Sequence, residues 1–168
     1  MQGPAPGLPA LPDAALVRLP GKGAGVNLFA GQDRDAMRRA WRTAWQRHVQ
    51  GLPLEPIQAQ LAGLIATHPE YHALMSVTDA MPVEAQQDNA EASDAYLHLA
   101  LHLALREQLA TDRPRGIARI HQRLSAAAGA PHAAEHRMIA VLARTLWEAQ
   151  RAARAPDEQQ YLEELQRL

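Results

Sequence analysis

The stretch DAYLHLALHLALREQ, residues 94–108, reads as one helix and decides the fold. At 100° per residue, His98, Leu101, His102, Leu105 and Leu109 share a stripe, and Glu107 falls on the opposite side. The two histidines therefore point where the leucines point, which is inward. Tyr96, Leu99 and Leu103 form a second apolar flank, so the helix is expected either to be covered on both sides or to meet a second copy in a homodimer. Imidazoles among leucines need partners, because a buried polar group left unsatisfied costs roughly 1–3 kcal/mol.

The flanking sequence repeats the helical period. From Asp33, the residues Met37, Trp41, Ala44, Trp45 and His48 recur at helical spacing until Gly51. A second helix starts near Pro53–Pro56, puts Ile57, Leu61, Leu64, Ile65 and His68 on one face, and is broken or re-initiated by Pro69. A short helical turn through Tyr71, His72 and Met75 follows. Residues 76–93 are polar and aperiodic and read as a loop. After residues 94–109, Pro114 and Gly116 punctuate the chain. A helix through Ile117, Ile120, His121 and Leu124 runs to Ala128 and is capped by Gly129. Pro131 suits the first turn of a long helix carrying Met138, Val141, Leu142, Thr145, Leu146 and Ala149. Past Pro156, Asp157 and Gln160 have capping-box spacing before a last helix through Tyr161, Leu162 and Leu165. No strand pattern appears. The expectation is an all-α protein, a single compact helical bundle of five to seven helices over residues 29–168. Residues 1–28 are rich in Pro and Gly, lack periodicity, and read as a flexible tail.

A chain of 168 residues suits one domain that buries roughly two-thirds of its unfolded surface. The net charge of −1 gives no general attraction to nucleic acid or anionic lipid. With no cysteine, thiolate ligands and disulfides are excluded, and any metal must be held by histidine and carboxylate. The longest apolar run, residues 95–105, contains both histidines and is too short to span a bilayer. Pro4, Pro6, Pro9 and Pro12 break any apolar leader segment before the first basic residue, Arg18. A cytoplasmic protein is the expectation.

Six of the eight histidines fall in three H-x-x-x-H pairs: His68 and His72 in HPEYH, His98 and His102 in HLALH, His132 and His136 in HAAEH. Composition alone gives about 0.4 such pairs. Residues i and i+4 share a helix face with Cβ atoms roughly 6 Å apart. Their imidazoles can reach one ion at about 2.0–2.1 Å each, and helical bundles build metal sites this way. A single inward histidine more often bonds a carboxylate or a backbone carbonyl. Three pairs place metal binding and a buried hydrogen-bond network on equal footing. His48 and His121 are lone histidines on amphipathic helices and belong with ordinary packing.

HAAEH also matches the inverted zinc-peptidase pattern H-x-x-E-H, with Glu135 as general base. Three fixed positions in five match readily by chance. Such enzymes also need a downstream acidic ligand and a cleft, and only 32 residues follow His136. Glu135 fits better as a metal ligand, as a partner orienting one, or as a first-turn acid. Arg113, Arg115, Arg119 and Arg123 precede a Gly-containing break, but a solvated basic face explains them better than a DNA-reading helix. Trp41 and Trp45 read as core. GKGAG, residues 21–25, lacks the preceding strand and terminal Ser or Thr of a phosphate loop.

FAGQDRDAMRRAW, LEPIQAQLAGLIATHPEYHALM, YLHLALHLALREQLATDRPRGI, HAAEHRMI, LWEAQR and PDEQQYLEELQRL, in this order, resemble a bacterial domain-of-unknown-function family, number eighteen forty-one. The resemblance runs from Phe29 to Leu168. It implies the helical fold and a soluble bacterial setting, supplies no activity, and makes the HPEYH, HLALH and HAAEH histidines family features. The family pattern has Asn-Pro-Phe where this chain has Asp94, Ala95 and Tyr96, and acidic residues near Ala140 and Arg144. A glutamate at position 140 would pair with His136; this chain lacks it.

The leading reading is a bundle that binds a transition metal through His98 and His102, with further ligands from His68, His72, His132, His136 or Glu135. Zinc or iron suits imidazole and carboxylate ligation. The other reading is a non-catalytic interaction module whose histidines hydrogen-bond one another. Neither fixes a substrate or a reaction.

Overall fold

The computed structural model describes residues 31–77 and 90–168. Its elements are α1 (Gly31–Val49), α2 (Pro56–Ala66), a 3-10 turn (Pro69–Tyr71), α3 (His72–Met75), α4 (Ala90–Thr111), α5 (Ile117–Ala128), α6 (Pro131–Arg151) and α7 (Glu158–Gln166). The architecture is all-α, with no strand among the described residues, as the periodicity predicts. Residues 1–28, expected as a tail, lie outside the described residues. None of the described helices is long and apolar enough to cross a membrane.

Local chemistry sets the helix ends. Pro56 occupies the first position of α2. The Glu55 carboxylate accepts from the backbone three residues on, while Gln58 Oε1 accepts from Glu55 N at 3.0 Å. Asp157 Oδ1 accepts from Gln160 N at 2.9 Å, which is one half of the expected box; the Gln160 side chain instead donates to Glu164. Gly129, at φ 72, ends α5 in the left-handed conformation that glycine adopts without strain. Asp112 Oδ1 accepts from Gly116 N and Ala118 N, tying down the start of α5.

One boundary differs from expectation. α4 begins at Ala90, so the last part of the segment read as loop is helical. Ala90, Glu91 and Ala92 are strong helix formers, but this first turn carries no apolar stripe to reveal it.

α4 is the central element, with an apolar cluster on each side. Leu101 and Leu105 pack with Ile117, Ile120, Leu124, Met138, Leu142, Tyr161 and Leu165. Tyr96 and Leu99 pack with Trp41, Trp45, Leu61, Leu64, Ile65 and Met75. The second apolar flank of α4 is thus covered by α1 and α2 of the same chain. Each fully buried Leu or Ile contributes roughly 1.5–3 kcal/mol. The seam between the two clusters holds the histidines.

Candidate metal centre

Three segments carry imidazoles to one point. His68 follows the end of α2 and precedes Pro69. Proline disfavours helical backbone in the residue before it, and His68 leaves the helix at φ −128, ψ 71. Its ring folds back over α2, where Nδ1–H donates to the Leu64 carbonyl at 2.8 Å. α4 supplies His98 and His102, one turn apart. α6 supplies His132 and His136 in its first two turns, directed by Pro131 at the helix start.

The five rings cluster tightly. Centroids are 4.8 Å apart for His68 and His102, 4.6 Å for His68 and His132, 4.8 Å for His98 and His102, and 4.3 Å for His132 and His136. Ligand atoms of His68, His102, His132 and His136 all lie within 4.8 Å of one another, an arrangement that could hold a metal ion. His98 joins them, with Nε2 3.1 Å from His68 Nε2. His136 Nε2 is 3.4 Å from the same atom. Two nitrogens bound to a tetrahedral ion at about 2.0–2.1 Å sit about 3.3–3.4 Å apart.

The outer nitrogens fix which atoms face inward. With Nδ1–H given to Leu64, His68 presents a bare Nε2. His102 gives Nδ1–H to Glu135 Oε2 at 2.9 Å, which in the neutral ring leaves Nε2 bare; that atom is buried, with no hydrogen-bond partner among the described residues. His132 Nδ1 is likewise buried without a hydrogen bond, 3.8 Å from Glu135 Oε2. A bare imidazole nitrogen has one in-plane lone pair. His68 Nε2 can therefore accept from His98 or from His136, but not from both.

The Glu135 carboxylate is engaged on both oxygens, since Arg106 Nε lies 3.2 Å from each. Burial alone would raise its pKa. Hydrogen bonds from His102 and Arg106, with the Arg106 charge, outweigh burial and hold the carboxyl at about 2. Burial, reinforced by the neighbouring imidazoles, pushes His98 down to about 3 and His136 down to about 4. Burial also lowers His68 and His132. These imidazoles are therefore neutral at pH 7, as metal ligands must be.

His72, the remaining member of the three pairs, is placed elsewhere. Its Nε2 lies 3.0 Å from the Ile65 carbonyl and its ring packs 4.4 Å from Trp45. It closes the end of α2 and packs beside Trp45. His48 also stacks on Trp45, and His121 contacts Ser125. Arg123, one of the four arginines around α5, donates to the Leu165 and Gln166 carbonyls at the end of α7. Ala140 is exposed, and Arg144 pairs with Glu164 on α7.

Sequence reasoning missed Arg106, although it stands four residues past His102 and so on the same helix face. It also missed Glu70, whose charge reaches His68, His132 and His136, and Tyr71, whose ring stacks 5.7 Å from that of His68. Both lie inside HPEYH, where only the histidines had a spacing signal.

A family model described as a domain of unknown function (DUF1841) matches residues 33–167. No curated protein and no solved structure matches the chain.

Proposed function

We propose that this chain, which belongs to that family of unknown function, binds a first-row transition ion among His68, His98, His102, His132 and His136, with Glu135 orienting His102. The observation that carries this reading is the buried Nε2 of His102, which has no hydrogen-bond partner among the described residues although Nδ1 is fixed by a carboxylate. Histidine ligands nearly always donate their other N–H to a carboxylate or a backbone carbonyl. His102 does so to Glu135, and His68 does so to Leu64.

The hydrogen-bond network reading fits less well. It leaves His102 Nε2 and His132 Nδ1 stranded, at roughly 1–3 kcal/mol each. An ion reached by His102 Nε2 would satisfy that atom. Peptidase chemistry through Glu135 also fits poorly, because a carboxylate bonded on both oxygens and held at about 2 is a weak base. Zinc and iron both suit an imidazole set.

Element analysis of protein purified without a polyhistidine tag tests the proposal. One transition ion per chain is expected. Chelation should lower the melting temperature of the wild type, because an ion bound only to the folded state stabilises it. It should leave His102→Ala unchanged. A metal-free wild type that ignores both added metal and chelator would overturn the reading.

A further inference from the structure

Resting on the metal-binding reading, we infer that the centre keeps a coordination position on its His136 side for a small exogenous anion. The first support is the asymmetry of burial. His68 and His102 are 0% exposed and close the inner side. His132 is half-buried, and His136 is exposed on the rim. An ion held here meets solvent on the side of His136.

The second support is reach. Opposite ligands of one ion at about 2.1 Å are no more than about 4.2 Å apart. The four clustered imidazoles spread to 4.8 Å. As placed, the rings do not all reach one ion at that distance, and the side open to solvent, where His136 lies, is where a position is left.

The third support is charge. An imidazole ligates through a neutral ring nitrogen and brings no negative charge to an ion. Among the described residues, the carboxylate in contact with the set is Glu135, which is matched by Arg106 and bonded by His102 rather than left free to ligate. Glu70 is near but exposed, so solvent screens it. A divalent ion would keep net positive charge on the one side that water and solutes can reach. An anionic donor such as hydroxide, azide or a carboxylate completes such a site.

Cobalt(II) loaded into the full chain, with azide as the probe, tests this. Cobalt should bind one per chain, and azide should shift and intensify its visible bands with saturation. His136→Ala should bind cobalt more weakly and, once saturated with it, should bind azide several-fold more tightly. Bound cobalt whose bands azide leaves unchanged would mean a closed coordination sphere and would overturn the inference while the metal reading stands. A response that appears only in Glu70→Gln would assign the position to Glu70 and overturn it as well. Weaker azide binding by cobalt-loaded His136→Ala would overturn the placement beside His136. Failure to bind cobalt or any other transition ion would overturn both readings.

Discussion

Glu135 Oε2 lies 2.9 Å from His102 Nδ1, and Arg106 grips the same carboxylate from another direction. A residue from α6 thereby sets the tautomer of a residue in α4. Without that hydrogen bond the imidazole could carry its proton on Nε2, the atom facing the cluster.

Glu135→Gln should therefore weaken metal binding without unfolding the protein. The amide keeps the side chain's shape but loses the charge that matches Arg106. Losses on removing such partners run to roughly 10–100-fold in affinity. Competition against a chromophoric chelator measures this. Wild-type affinity in the variant would show that the carboxylate does not tune the site.

His72 and His102 separate ligation from packing. His72→Ala removes the contact with Trp45 and the group facing the Ile65 carbonyl. It should cost about 1–3 kcal/mol of stability and leave metal stoichiometry unchanged. His102→Ala should lose metal. Denaturant unfolding and element analysis on both variants decide the matter, and loss of metal in His72→Ala would contradict the geometry.

The helices were legible because their signals are local. Leu101 and Leu105 in α4, and Met138 and Leu142 in α6, repeat at the helical period and do occupy one core. The inward aim of His98 and His102 followed from the same arithmetic. Their company did not, because which histidines meet depends on how α2, α4 and α6 pack against one another. HPEYH shows the limit most clearly. His68 and His72 have the same spacing as the other pairs, yet Pro69 breaks the helix between them, so one ring enters the cluster and the other turns to Trp45. The start of α4 was hidden for a different reason, since a first turn of Ala and Glu leaves no apolar stripe to read in the sequence.

Stability of the metal-free protein should fall as pH drops below about 6.5, the reference value for histidine. His98 and His136 are pushed down to about 3 and 4, and His68 and His132 are also lowered. Between those values and the reference, the unfolded chain binds protons that the folded chain does not. Each buried or half-buried imidazole then costs up to about 1.4 kcal/mol of stability per pH unit, and the exposed His136, screened by solvent, costs less. Glu135, lowered to about 2, acts in the same direction at lower pH, because its contribution is lost as the carboxylate protonates. Melting temperatures from pH 7.5 to pH 4.5 should decline along this window. The decline should be shallower in His98→Ala, which removes one of these titrating groups. A flat profile would mean that the imidazoles are solvated and charge freely in the fold.

The last prediction uses the surplus of donors. Five imidazoles converge, whereas zinc sites take three or four protein ligands. The donors also differ in how they are held. His68 and His102 are fully buried, with outer nitrogens fixed by Leu64 and Glu135. His98 is half-buried, and among the described residues its hydrogen-bond contact is with another member of the cluster, His68. Its loss leaves four nitrogens around the point where the ion would sit. His98→Ala should therefore retain one metal per chain with reduced affinity, whereas His68→Ala and His102→Ala should each lose it, because their fixed orientation is what preorganises the site. Titration of the three variants with zinc or cobalt against a competing chelator measures the order. If all three lose metal alike, every imidazole is essential and the centre has no spare donor. If His98→Ala alone loses it, the ion sits against α4 near His98 rather than between His68 and His102.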